Sequence, residues 1–145
     1  MRVRQAVLAD LPEMAATDGA LTQGSPRWDE VHDLLAGGRC LLGEVLSDDT
    51  PSVVGYVAVA PHHFFGRDFI ALLVVADAWR RRGVGRQLLN AATRLATTDV
   101  VFTSTNESNQ PMLALLSHEH WLVSGTLNGL DDGDPEIVFY RRARS

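Results

Sequence analysis

The sequence predicts an α/β fold: one domain with a mixed, mostly antiparallel central sheet flanked by helices. Three observations carry this expectation. Apolar residues make up 46 % of the 145-residue chain, which suits a packed core rather than a disordered polymer. Segments with strand and helix periodicity follow one another as β-α-α-β-β-β-α-β-α-β-β. The length accommodates one ordinary domain, residues 1–145, and is short for two.

The elements follow in order. Val3–Val7 alternate weakly and predict a first strand. Asp10, Pro12 and Glu13 form a helix start, because Asp10 can cap, Pro12 is tolerated in a first turn and Glu13 completes a box-like pattern. Leu11, Met14 and Ala15 give that helix an apolar face. Gly24, Ser25 and Pro26 break the chain, and Trp28, Val31, Leu34 and Leu35 outline a second helix stopped by Gly37 and Gly38. Arg39–Leu46 and Ser52–Ala60 are strand-like around the turn Ser47–Pro51, which predicts an antiparallel hairpin. Pro61–Arg67 is expected to be a loop leading to Asp68–Val75, an almost wholly apolar central strand. A helix then runs to about Thr97. Val100–Thr105 is a strand, Pro111 opens a short helix Met112–His118, and Trp121–Val123 and Glu136–Tyr140 are the last strands. Arg141–Ser145 is expected to be a solvated tail.

The most informative stretch is Leu73–Gly85 with the helix after it. An apolar run ends in a turn, followed by Arg80, Arg81 and Arg82, then Gly83 and Gly85. Leu88, Leu89, Ala92, Leu95 and Ala96 recur at helical spacing behind them. Positive charge and glycine at a helix start suit an anion, because free N–H groups converge there and the helix dipole adds to them. Glycine allows close backbone approach to a phosphate and positive φ. The stretch predicts a pyrophosphate cradle.

Net charge is −5, which disfavours nucleic-acid or anionic-membrane binding in general. A positive focus at Arg80, Arg81, Arg82 and Arg86 on an acidic chain therefore points to one small anionic ligand. No apolar run reaches the length of a membrane span, and Met1–Arg4 is not followed by a signal-peptide core, so a cytoplasmic protein is expected. The one cysteine, Cys40, sits in an apolar run as an inert thiol.

Together these residues resemble the GCN5-related N-acetyltransferase (GNAT) superfamily. Its Arg/Gln-x-x-Gly-x-Gly/Ala pattern after an apolar strand is matched by Arg80, Gly83 and Gly85. Residues 1–14 resemble its first strand and helix start, and Asn109 before an apolar helix resembles its fifth-strand-to-helix segment. A dinucleotide fingerprint and a P-loop fit worse, because the third glycine and the Gly-Lys-Ser/Thr sequence are absent. The resemblance implies an acetyl-CoA-dependent N-acetyltransferase. It implies that the amides of Arg81, Arg82, Gly83, Val84 and Gly85, with Arg80 and Arg86, hold the CoA pyrophosphate. Leu73, Val74 and Val75 would pair with the pantetheine arm like an added strand, in a slot opened by a bulge and splay beside Val100–Thr105. Asn109 would contact the same arm, and it can equally be a helix N-cap.

Acetyl transfer needs a neutral amine, a polarised thioester carbonyl and a proton for the leaving thiolate. Family members often supply that proton from a tyrosine, but the matching position is Leu116, and a glycine position is His120. Ser117, His118 and His120 are the substitute candidates for the acid, and water or an unassisted thiolate would serve as well. Tyr56 and Tyr140 look like packing residues with polar tips. A base often supplied by a strand glutamate maps to Phe69, leaving Asp68, Glu44, His62 and His63. A metal site from His62, His63, His118 and His120 lacks ligand spacing, so no metal is expected.

The acceptor is expected to be a small-molecule or peptide amine. The resemblance implies that the acceptor enters between the first two helices and the loop before the last strand, where Asp131, Asp132 and Asp134, with Asp18, Asp29 and Glu30, would form an acidic rim for a cation; simple turn chemistry explains the same residues. Trp28, Phe64 and Phe65 are candidate walls. A monomer or homodimer is expected. The alternative is a non-catalytic acyl-CoA-binding or regulatory module on the same fold.

Overall fold

The computed structural model describes residues 1–143. One sheet holds seven strands: β1 Arg2–Gln5, β2 Cys40–Ser47, β3 Thr50–Phe64, β4 Arg67–Val75, β5 Val100–Asn106, β6 Leu122–Leu127 and β7 Glu136–Arg142. Their spatial order is β1-β2-β3-β4-β5-β7-β6. Only the β4–β5 pair is parallel. Helices α1 Leu11–Thr17, α2 Pro26–Ala36, α3 Val84–Leu95 and α4 Gln110–His118 flank the sheet, in the expected element order.

Strand alternation sends neighbouring side chains to opposite faces and so builds two cores. On one face, Val57, Val59 and Ile70 pack with Leu88, Leu89 and Ala92 of α3 and Leu116 of α4. On the other, Leu42, Tyr56 and Ala58 pack with Met14 of α1 and with Val31 and Leu35 of α2. The α3 stripe Val84, Leu88, Leu89, Ala92 has the spacing that keeps one side of a helix on a sheet. α2 starts at Ser25, whose hydroxyl accepts from the Trp28 N–H at 3.1 Å, with Pro26 in its first turn. No helix among the described residues is long and apolar enough to cross a membrane.

Five local expectations change. β1 ends at Gln5 rather than Val7, and Leu8–Asp10 forms a 3-10 turn. Asp10 accepts from the Val7 N–H at 2.8 Å and from Arg4 at 2.8 and 3.0 Å, so it fixes that turn and makes no side-chain cap on α1. The turn after β2 shrinks to Asp48 and Asp49, both left-handed at φ 51° and 63°, as a tight hairpin requires. Pro61–Arg67 is not a free loop: β3 continues to Phe64, which pairs with Arg67 around the tip Phe65-Gly66. At the other end, Arg141 and Arg142 complete β7 against Val101 and Val100; Arg144 and Ser145 of the expected tail lie outside the described residues.

Candidate functional site

The parallel pair β4–β5 is short. It holds Asp68↔Val101, Phe69↔Phe102 and Ile70↔Thr103, closed by the Thr103 hydroxyl donating to the Ile70 carbonyl at 2.9 Å. Beyond this rung the strands part. The cause lies on the other edge of β4, where Ala58 faces Leu72 and Val59 faces Ile70, leaving Ala71 as an extra residue. Such a β-bulge bends its strand and increases the twist. Leu72–Val75 keep β3 as partner and have no rung with β5, while Ser104–Asn106 pair only with β7. Leu73, Val74 and Val75 therefore lie on an open strand edge, able to accept an extended arm as an added strand.

At the end of that edge the chain turns through Asp77–Trp79 and enters α3. Arg81 and Gly83 are both left-handed, at φ 64° and 83°, which turns the backbone sharply before the helix. The N–H groups of Arg81–Arg86 make no well-formed hydrogen bond within the described residues, and α3 has no side-chain cap. Six donors at a helix start with no internal partner are the arrangement that can receive an anion. The two glycines serve different ends. A Cβ at Gly83 would meet nothing within 4 Å, so its requirement is positive φ. Gly85 has no such backbone constraint; a Cβ there would stand between Val75 and Leu115, 3.6 and 3.4 Å away, in the mouth of the slot.

The arginines around the cradle are exposed and differently engaged. Arg80 pairs with Asp77 at 3.2 Å, Arg82 lies 4.9 Å over the Trp79 ring, and Arg86 Nε is 3.9 Å from Glu119. Arg81 has no salt-bridge partner among the described residues. The Glu119 carboxyl is held below its usual range by hydrogen bonds from Asn90 and His118, with the Arg86 charge adding. Asn109 is the N-cap of α4, accepting from the Met112 N–H at 3.3 Å, and its side-chain amide donors remain open.

The proton-transfer candidates are scattered. Leu116 is fully buried in the core under α4. Ser117 and His118 are exposed at the end of that helix, with His118 Nδ1 3.1 Å from Glu119. Asp68 lies at the end of β4 away from the cradle and is wholly buried. It accepts from the Thr97 N–H at 2.7 Å, the Thr97 hydroxyl at 3.0 Å, the His62 N–H at 3.1 Å and Arg39 at 3.2 Å. Burial alone would raise its pKa, but these hydrogen bonds and the Arg39 charge hold the carboxyl below its ordinary value. It ties the β3–β4 hairpin to the turn between α3 and β5. His62 and His63 are exposed beside that hairpin. Burial pushes the Cys40 thiol up to about 12, as befits an inert core cysteine. No three of the His, Cys, Asp and Glu side chains among the described residues are grouped to hold a metal.

Half of the acidic rim is engaged in the fold, while Asp29 and Glu30 are exposed on α2. Asp18 is buried, accepting from Tyr56 Oη at 2.5 Å and Arg27 Nη1 at 2.9 Å, and burial beside it pushes the Tyr56 pKa up. Asp131 accepts from Asn106 at 2.9 Å, and both Asp134 oxygens accept from Ser108. Asp132 is exposed. Trp28 packs in the core under α1 and α2.

Sequence reasoning missed two features. Gly55 on β3 sits beneath α3: a Cβ there would meet the Val74 carbonyl at 2.7 Å and Leu88 at 3.1 Å, so its absence lets the cradle helix settle on the sheet. A glycine in the middle of an otherwise apolar strand was the available signal. Glu136, on the face opposite α3, accepts from the Ser104 hydroxyl at 2.7 Å just beyond the last β4–β5 rung. Nothing in the local sequence marks that juxtaposition. Below it, Phe64, Phe102, Tyr140 and Val138 help line a groove of about 790 Å³.

A family model described as the acetyltransferase (GNAT) family matches residues 8–119. The uncharacterized N-acetyltransferase YhbS of Escherichia coli K12 is 33 % identical over 93 residues, 61 % of this chain and 56 % of that protein. The chain thus spans little more than half the length of the curated relatives it matches. A crystal structure of a GNAT-family acetyltransferase from Bacillus cereus superimposes with a TM-score of 0.86 and 30 % identity, over 99 % of this chain and 98 % of that one. The structure of yncA from Salmonella typhimurium, a putative acetyltransferase solved with its cofactor acetyl-CoA, has a TM-score of 0.74. At 17 % identity over 99 % and 94 % of the two chains, it speaks for the fold alone.

Proposed function

The chain belongs to the acetyltransferase (GNAT) family, and from that premise we propose that it transfers the acetyl group of acetyl-CoA to a primary amine. The observation that carries the proposal is the open edge of β4 leading directly into the uncapped amides of Arg81–Arg86. A thioester arm with a pyrophosphate at its far end matches that sequence of donors: strand-like amide pairing first, then an anion cradle.

Acetyl-CoA would supply the activated acyl group. The amine nitrogen forms the new C–N bond as the C–S bond breaks; of the two protons released from the ammonium, one goes to the thiolate and one to solvent. In this reading Leu73–Val75 hold the arm, Arg81–Gly85 take the pyrophosphate through their N–H groups, and Arg80, Arg82 and Arg86 add screened positive charge. Asn109 donates through its free amide while its oxygen keeps the helix cap. Leu116 cannot serve as an acid. Ser117 and His118 lie at the exposed end of α4, so the thiolate, whose pKa is not far above neutrality, takes its proton through water. A cytoplasmic setting, with the chain as a monomer or homodimer, accompanies the proposal.

The second reading, a non-catalytic acyl-CoA-binding module, is favoured by the burial of Leu116 where an acid would stand. Thiol release from acetyl-CoA, measured across a panel of primary amines, separates the two. Amine-dependent release supports transfer. Binding of acetyl-CoA without release with any amine supports the module, and failure of both binding and release overturns the two readings together.

A further inference from the structure

We infer that the groove on β5, β6 and β7 is the acceptor subsite, and that it takes a monoamine with an aromatic or similarly flat apolar body, its ammonium on Glu136. This rests on the transfer reading above. The cradle belongs to α3, which packs on one face of the sheet, so an arm passing from it through the β4–β5 slot presents its far end to the other face. On that other face, Ser104 is the first outward residue of β5 past the last shared rung, and its hydroxyl holds Glu136 Oε2 at 2.7 Å. Glu136 Oε1 accepts no hydrogen bond, and no cation pairs with this half-buried carboxylate among the described residues. A fixed carboxylate with one free oxygen beside the slot suits an ammonium ion.

Glu136 stands beside the groove, which is lined mostly by apolar side chains with Ser124, Thr126 and Arg67 among them. Val138 stands two residues along β7 from Glu136, on the same face, and Phe102 and Tyr140 continue the floor with ring centroids 6.0 Å apart. Phe64 crosses Phe102 at 4.9 Å, and Phe65 leaves 84 % of its surface exposed at the rim. The open groove, about 790 Å³ in volume, has room for a small molecule. Arg67 closes the end remote from Glu136, so a second ammonium would meet a like charge there. The acceptor chemistry is therefore an arylalkyl monoamine rather than a diamine or polyamine.

The test is thiol-release kinetics at saturating acetyl-CoA with 2-phenylethylamine, ethylamine and 1,6-diaminohexane. The expected kcat/KM for phenylethylamine exceeds that for each of the others by roughly tenfold or more, the discrimination an apolar pocket achieves. Phe65→Ala, at an exposed rim position that does not threaten folding, should erase most of this preference by lowering kcat/KM for phenylethylamine. Glu136→Gln should lower kcat/KM for both monoamines. Equal turnover of all three amines, a diamine preference, or a concentration-dependent dimer abolished by Phe65→Ala would overturn the subsite while leaving acetyl transfer standing. If no amine releases thiol, the transfer reading fails. Equilibrium dialysis of phenylethylamine against CoA-loaded protein then decides the groove: binding lost in Phe65→Ala supports it, and no binding overturns it.

Discussion

Replacing each cradle glycine with alanine separates a role in the fold from a role in binding. Gly83 adopts φ 83°, a conformation that costs an L-residue roughly 1–2 kcal/mol, and its built Cβ meets nothing within 4 Å. Gly83→Ala is therefore pure backbone strain. In a chain of this size each kcal/mol moves the melting midpoint by roughly 2–4 °C, so the unliganded protein should melt about 2–8 °C lower. Gly85 is already helical and its Cβ would make ordinary contacts with Leu115 and Val75. Gly85→Ala should leave the unliganded midpoint unchanged or raise it, because alanine favours helix over glycine by up to about 1 kcal/mol. In the proposed binding mode the same methyl group, facing Val75 at the end of the β4 edge, narrows the path of the arm. Ligand at a hundredfold its Kd stabilises by about 2.7 kcal/mol; a tenfold weaker Kd leaves about 1.4 kcal/mol, roughly halving the midpoint shift. Differential scanning fluorimetry with and without acetyl-CoA reads both quantities. A Gly85→Ala protein that melts as low as Gly83→Ala, or keeps the full acetyl-CoA shift, would refute this division of roles.

Three further outcomes concern the scaffold. Asp68→Asn should cost about 2–4 kcal/mol at pH 7, because it disturbs a buried, hydrogen-bonded carboxylate and leaves Arg39 unpaired. The folded pKa of Asp68 lies below its unfolded value, so its contribution is present above about pH 4 and disappears as pH falls through the folded pKa. Urea unfolding at several pH values should thus show the gap between mutant and parent narrowing in acid; a gap independent of pH would contradict it. His120→Gly should raise the melting midpoint by a few degrees, since His120 holds φ 65° after α4 where glycine carries no Cβ penalty, worth up to about 1 kcal/mol net. A lower midpoint would mean that the imidazole makes a contact outweighing the strain. Gly55→Ala should destabilise by about 1–3 kcal/mol through its clash with the Val74 carbonyl, and should also weaken acetyl-CoA binding by shifting α3. Unchanged stability in denaturant would show that the strand yields at no cost.

What was legible in the sequence was local. Element order, the chain break at Gly24–Pro26, the cap at Asn109 and the glycine-arginine run before α3 are written in residues that act on their immediate neighbours. The long-range features were not. The bulge at Ala71 depends on the register of two strands, and nothing distinguishes that alanine locally from Ala58 or Ala60. The extension of β3 to Phe64 is supported by packing of Phe64 on Phe69 and Phe102, across a break that proline and two histidines suggest. Asp68 is a candidate base in the sequence because it lies close to the central strands. Its partners Thr97 and Arg39, 29 residues away on either side, give it a buried structural setting. Glu136 opens the expected last strand, and only the β5–β7 register brings it to Ser104 beside the slot.

The central claim is that the β4 edge and the amides of the following loop hold acetyl-CoA, and amide hydrogen exchange measures those groups directly. With acetyl-CoA added, exchange should slow within Leu72–Val75 and Arg81–Arg86 together, and little on β1, β2 or the β3–β4 hairpin tip. Protection of the loop alone would reduce the site to an anion cradle, and protection of neither segment at saturating acetyl-CoA would contradict the account.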